Sequence, residues 1–423
     1  MIKLIEKYFD KLFPLNRSLT GKDYQKSIDI LSEIIPLKRL NFESNKKVFD
    51  WKIPLEWNVN KANVKDLSGN TIIDFKQNNL HILGYSSSIK KIIKFEELKK
   101  NLYTIKQLPN AIPYVTSYYK KRWGICLSYN QFKKLKDRYY DITIDTEFKK
   151  GKLTVGECLL RGKSKKEIII STNLCHPSLA NNELSGPLTV AFLYKKLKKK
   201  KLNYSIRFIF APENIGTIAL LSKYKKKFSK DLIGGYQVTC CGLKNNVVYK
   251  KTKNSSIFDL AISNTLKNKY TALDYFPLGS DECRYNSLGI NQNVGAFMRT
   301  NFDNYKEYHT SLDNKKIISF KKIYENIKIL SNSISFIDKA RYYVSTIKNC
   351  EPFLSKRNIY SNISNYNTYH RMNKINESFF WLISFSNGKT SDLEISKKSK
   401  INIKILNEAA SILVKKKLLK PII

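Results

Sequence analysis

Residues 167–240 read EIIISTNLCHPSLANNELSGPLTVAFLYKKLKKKKLNYSIRFIFAPENIGTIALLSKYKKKFSKDLIGGYQVTC. Three strand-like runs, EIIIST, SIRFIFA and GGYQVTC, alternate here with two helical runs, PLTVAFLYKKLKKK and IGTIALLSKYKKKF. A further helical run, SIFDLAISNTLKN, follows soon after. This alternation predicts an α/β fold with a mostly parallel sheet covered by helices on both faces. In open sheets of that kind, ligands bind just beyond the carboxyl ends of the strands. His176 directly follows EIIISTNLC, and Glu213 directly follows SIRFIFAP. Asp281 and Glu282 in LGSDECRY, and His309 in EYHTSLD, lie in later loops. Acids and imidazoles in such loops are the ligand set a borderline metal such as zinc prefers. Each has a plainer role to weigh against that one. A lone histidine after a strand often caps or packs, and Glu213 is placed to cap the helix that follows it. The chain has only four histidines, however, and two of them fall in these loops.

On the N-terminal side, IKLIEKYFDKLF and KDYQKSIDILSEII are two helical patterns separated by the turn-like PLNRSLTGK. Between about 46 and 140, short alternating runs such as VFDWKIPLEW and ANVKDLSGNTIIDF, punctuated by Gly, Asn and Pro, read as an all-β segment. AIPYVTSYYKKRWGICLS continues that aromatic, strand-rich pattern. On the C-terminal side, 352–372 is polar and linker-like, and the remainder gives three short helices and a short strand pair, the pattern of a winged helix. The expected domains are a core of 1–46 and 141–348, an inserted β-rich domain at 47–140, and a winged helix at 349–423.

The formal net charge of +41 raises the question of a polyanionic partner. The lysines are spread along the whole chain, with short runs at helix ends, and no arginine-rich stripe accompanies them. A nucleic-acid partner is therefore not expected. Apolar residues at 42% suffice for real cores, yet no stretch approaches the ~20 apolar residues of a membrane span. The seven cysteines form no C-x-x-C pair, and the N-terminus lacks the features of a secretion signal. A cytoplasmic location is expected, with a second copy of the chain kept open as a partner.

CHPSLANNELSG, APENIGTIALLS, GSDECRY and YHTSLD occur in the order and spacing of a bacterial aminopeptidase-like family with a winged-helix tail. LFPLNRSLTG, VFDWKIPLEWNV, NNLHILGYS and IPYVTSYYKKRWGICLS extend the likeness over essentially the whole chain. That family resembles the zinc aminopeptidases of metallopeptidase family 28. The resemblance implies a zinc-aminopeptidase-like α/β core, an inserted small all-β domain and the winged helix. It also implies a ligand role for His176 and His309. Asn182 stands where relatives carry a bridging Asp, with Glu183 beside it. Glu213 followed by Asn214 replaces a general-base and ligand pair, so Glu213 serves as base or ligand. Leu243 stands where relatives tend to carry an Asp. The implied metal set is His176, Asn182, Glu213 and His309, holding one zinc rather than two. Glu183, Asp281, Glu282 and Arg299 are candidate helpers, and Arg299, Tyr305 and Tyr308 precede His309 where they would meet a substrate carboxylate or oxyanion.

The expected activity is zinc-dependent hydrolysis of an amide or peptide bond in a small peptide or amide-bearing substrate. The competing reading is a degenerate peptidase scaffold that binds without cleaving, linked to surface-polysaccharide biosynthesis. The insert is expected to keep its tryptophans in its core. Alternatively it forms a lid, with Asp50, Trp51, Tyr118 and Arg122 facing the cleft. In the tail, the helix NIKILNEAASILVKKK offers only Asn402 and Lys404 early on for reading bases, which favours a protein–protein module.

Overall fold

The computed structural model describes residues 1–136, 138–359 and 374–422. Its centre is an eight-stranded mixed sheet. In chain order the strands are β1 (Lys38–Glu43), β2 (Lys152–Leu160), β3 (Glu167–Asn173), β4 (Ser205–Ala211), β5 (Leu232–Val238), β6 (Val248–Lys250), β7 (Thr271–Leu273) and β8 (Val294–Met298). Across the sheet they lie in the order β1-β2-β4-β3-β5-β8-β6-β7. The middle pairs, β3 with β4, β3 with β5 and β5 with β8, are parallel. Antiparallel pairs join β1 to β2, β2 to β4, and β6 to β8. The sheet is therefore parallel at its centre and mixed toward its margins.

Every residue of β3 and β4 is buried, as expected of strands covered on both faces. Helices Ser185–Leu197 and Ile215–Asp231 make the crossovers after β3 and β4. Lys195, Lys196, Lys223 and Lys225 on these helices face solvent, so the positive charge here is a solvated helix surface. Gly186 marks where the first of these helices meets the sheet. A Cβ there would lie 2.4 Å from Thr172 Oγ1 and 2.5 Å from the Val238 carbonyl oxygen, which explains the glycine of the LSG turn.

The insert leaves the core at the end of β1 and returns at the start of β2, where Glu43 pairs with Lys152. Its four-stranded antiparallel sheet runs Thr71–Asp74, Glu56–Asp66, Tyr139–Lys149, Ile89–Lys94. The expected boundary at 140 thus falls at the start of a strand of this sheet. AIPYVTSYYKKRWGICLS departs from the strand expectation: only Ile125–Cys126 forms a strand there. The segment's backbone groups are used elsewhere, since Tyr114 N donates to the His309 carbonyl and Ser311 N to that of Ile112. The segment is a loop laid against the core. Of the tryptophans, Trp57 is buried and stacked on Tyr85, while Trp51 is 39% exposed.

The C-terminal unit has helices Lys374–Phe385, Asp392–Ser399 and Ile403–Lys415 and a small antiparallel sheet. Tyr342–Ser345, upstream of the expected start at 349, is the middle strand of that sheet. Residues 360–372 of the expected linker lie outside the described residues. Asn402 caps the last helix, its side chain accepting from Lys404 N, so its amide oxygen is already engaged. No helix among the described residues is long and apolar enough to cross a membrane.

Candidate functional site

The loops after β3, β4, β5 and β8 converge at the carboxyl edge of the parallel part of the sheet, as the sequence pattern predicts. His176 is buried, and its Nδ1 lies 2.6 Å from Glu183 Oε2. Cys175 N donates to the other oxygen of Glu183 in a very short contact. A carboxylate only accepts, so Glu183 fixes the proton on Nδ1 and leaves Nε2 to face the site. That Nε2 is 3.6 Å from Glu213 Oε2. Burial opposes a charge on the His176 ring, but the fields of Cys175 and Glu183 outweigh it and hold its pKa well above the ordinary value. Burial also raises the Cys175 thiol, to about 11.

Glu213 is placed by its neighbours. Ser280 Oγ donates to its Oε1 at 3.0 Å. The turn that carries it is tied down by Asp281, which accepts from Asn214 N at 2.9 Å and from Thr217 Oγ1 at 2.7 Å. Burial raises the Glu213 carboxyl above its ordinary value, with the adjacent His176 pulling the other way. Burial, with Glu213 nearby, also pushes Asp281 up to about 7. Asn214 has its side-chain oxygen turned to Arg284 Nε at 2.9 Å.

His309 completes the group. Its ring stacks on Tyr308 with centroids 3.9 Å apart, and lies 5.3 Å from the ring of His176. Its Nε2 is buried with no hydrogen-bond partner among the described residues. Burial, and then His176, push its pKa down to about 3, so the ring is neutral. Tyr114 of the insert sets its ring edge against both imidazoles, at 5.1 Å from His176 and 5.2 Å from His309.

The donor set fits zinc on two counts. A neutral imidazole with a buried, unpartnered nitrogen is a ligand poised for a cation. Two imidazoles sharing a tetrahedral zinc at ~2.0–2.1 Å place their ring centroids about 5 Å apart, close to the separation seen. Cys175, His176 and Glu183 also bring donor atoms within 4.8 Å of one another. Both oxygens of Glu183 already accept from N–H groups, however, so that carboxylate orients the histidine instead.

The remaining expected residues are placed differently. Asn182 lies in a π-helical turn, Ala180–Leu184, with its side-chain oxygen 3.8 Å from Cys240 Sγ. Leu243 is half-buried in the turn after Cys240 and Cys241. Glu282 pairs with Lys250 at 2.9 Å. Arg299 faces away from the histidines, bonded to Asn326, the Asn245 carbonyl and Glu325, and joins the end of β8 to the helix Phe320–Ile337. Tyr305 donates to Asp313 at 3.3 Å. Tyr118 bonds to the Tyr114 hydroxyl at 3.0 Å, and Arg122 bonds to Ser117 and the Thr116 carbonyl. Asp50 and Trp51 line a separate cleft of about 360 Å³.

Several supporting groups carried no signal on their own in the sequence. Arg17, fully buried, donates to the His176 carbonyl at 3.1 Å, and burial lowers its pKa to about 10. Asp313 accepts from the backbone N–H groups of Asn181 and Asn182, at 2.6 and 2.8 Å, and so holds the π-helical turn. Arg17, Tyr114, Ser280 and Asp313 all lie in or beside segments quoted above, which was the one available clue. Four non-glycine residues around the site, Ser178, Asn214, Cys240 and His309, have positive φ (44–61°), a strained backbone that clusters where function requires it.

A family model described as a domain of unknown function (DUF4910) matches residues 6–340. The chain belongs to that family. A winged helix-turn-helix model matches residues 341–421 of this DUF4910 protein. A Clostridium acetobutylicum protein, provisionally named as a polysaccharide biosynthesis protein with an aminopeptidase-like domain, is 39% identical over 416 residues, covering 97% of this chain and 94% of that one. The crystal structure of a provisionally named peptidase from Clostridium acetobutylicum superposes with TM-score 0.80 at 38% identity, over 100% of this chain and 96% of that one. A zinc aminopeptidase from Bacillus subtilis gives TM-score 0.58 at 11% identity, over 79% of this chain and 93% of that one. A peptidase M28 precursor from Shewanella amazonensis gives 0.58 at 10% identity, over 83% and 95%. The DUF4910 core thus has the zinc-aminopeptidase fold, followed by a winged helix.

Proposed function

We propose that this DUF4910 protein is a single-zinc hydrolase that cleaves an amide or peptide bond of a small substrate. The observation that carries the reading is His309 Nε2, buried and unpartnered, beside His176 and Glu213. His176, Glu213 and His309 would hold the ion, which when bound would supply a water of lowered pKa and polarise the scissile carbonyl. Glu183 keeps the His176 proton on Nδ1. Glu213, raised by burial and steadied by Ser280, is suited to take a proton at the oxygen facing the histidines when it is not itself a ligand. Tyr114 walls off water above both rings. Asn182, engaged with Cys240, and Asn214, engaged with Arg284, favour one ion over two.

An amide-bearing sugar is the substrate type we favour, on the name carried by the Clostridium relative. We place the protein in the cytoplasm, a reading supported by free cysteines at six buried positions and one exposed one. The winged helix is read as a protein-contact module, because the side chain of Asn402 is spent on capping.

The second reading, a scaffold that binds without cleaving, is favoured by the same Asn182 and Asn214 contacts. Metal analysis of the full chain after zinc dialysis separates the two, combined with a hydrolysis screen over aminoacyl amides, short peptides and N-acetylated amino sugars. One zinc per chain with hydrolysis that His309→Ala abolishes supports the hydrolase. No retained zinc overturns it. Zinc without turnover of any of these substrates favours the scaffold.

A further inference from the structure

The insert carries a cavity of about 470 Å³ that the site described above does not use. Its walls include Lys52, Lys120, Lys121, Tyr118, Tyr119 and Phe148, and among the described residues no Asp or Glu lines it. Tyr118 joins the cavity to the histidines, since its hydroxyl bonds to that of Tyr114, whose ring touches both imidazoles. Lysine is common throughout this chain, so the greater weight falls on the rings. Among the described residues seven aromatic side chains count as exposed, and four of them, Phe49, Trp51, Tyr119 and Phe148, lie on this cavity or the cleft next to it. Trp51 and Tyr119 meet edge to face at 6.4 Å, which links the two depressions.

We propose that this cavity is the distal subsite of the substrate and that it takes an acidic saccharide, a sugar ring bearing a carboxylate or phosphate. The assignment rests on the hydrolase reading for the word substrate, though the binding itself does not. Exposed rings in a concave wall offer flat apolar faces that the C–H face of a pyranose covers. Three ammonium groups with no carboxylate beside them in the cavity wall, among the described residues, favour an anion. The volume lies in the range of small-molecule sites, roughly 300–1,000 Å³, which suits one or two sugar units better than a polymer strand.

The test is calorimetric titration of the full chain with glucuronic acid, N-acetylglucosamine 1-phosphate, neutral N-acetylglucosamine and a short thymidine oligonucleotide. At least one acidic sugar is expected to bind about tenfold more tightly than the neutral one, and the pair of acids separates carboxylate from phosphate recognition. A Lys52→Gln, Lys120→Gln, Lys121→Gln variant is expected to remove that tenfold preference and leave neutral-sugar binding unchanged. Phe148→Ala is expected to weaken all sugars alike. These side chains are exposed, and circular dichroism confirms that each variant is folded. Equal binding of neutral and acidic sugars, an unaltered preference in the lysine variant, or an oligonucleotide that outcompetes both acids overturns the proposal. Zinc content is read on the same samples. A chain that takes up no zinc but keeps the charge-dependent sugar binding sinks the hydrolase alone, whereas zinc-dependent hydrolysis without acidic-sugar binding sinks the subsite alone.

Discussion

The two sides of the candidate site lie at the same edge of the sheet but are chemically opposite. On one side His176, Glu213 and His309 leave donor atoms turned inward, and one of them, His309 Nε2, meets no partner among the described residues. On the other side Asn182 faces Cys240, Tyr305 bonds to Asp313, and Asp313 is filled by the N–H groups of Asn181 and Asn182. Buried polar groups are normally satisfied, so an unsatisfied ligand atom is informative, whereas a satisfied network reads as support. The contrast teaches that one end of a sheet can hold both an open donor atom and, beside it, a satisfied polar network.

The sharpest way to break the contrast is His309→Ala. It is expected to lower zinc affinity well beyond 100-fold, more than the ~10–100-fold typical of an outer partner, measured by calorimetry or by metal retained after dialysis. Wild-type zinc content in this variant would remove the open side from consideration. Asp313→Ala should act on the closed side instead. Leaving two buried N–H groups unpaired costs about 2–4 kcal/mol, read from urea unfolding. Glu183→Gln falls between the two sides. As the outer partner of His176 it should cost ~10–100-fold in zinc affinity while the chain still folds. Cys240→Ala should be the mildest, within about 1 kcal/mol of stability and with zinc uptake unchanged. Asn182→Asp sharpens the count: zinc is expected to stay at one per chain because Asn214 remains held by Arg284, and a stoichiometry of two would contradict this.

That His176, Glu213 and His309 come together was legible because strand ends and loops can be counted along a chain, and the chain has few histidines. The groups that hold them were not. Arg17 meets His176 across 159 residues, and Asp313 meets Asn181 across 132. Arg299, itself an expected helper, is directed instead to the helix Phe320–Ile337 through Asn326 and Glu325. The segment containing Tyr114 looked like further strand because aromatic and β-branched residues suit strands and extended loops equally.

Local sequence alone determined the alternation of strand and helix, the order of the domains and the strand ends at which the candidate residues gather. These follow from hydrophobic periodicity and turn chemistry, which act over a few residues. Tertiary structure alone decided which donor atoms stay open, that both oxygens of Glu183 accept from N–H groups, and that Tyr114 of the insert lies against the histidines. The insert's contact, Tyr114 N on the His309 carbonyl, joins segments far apart in the chain, whereas Glu183 meets Cys175 and His176 only eight and seven residues away. In both cases the direction of the groups is set by packing that no local pattern encodes.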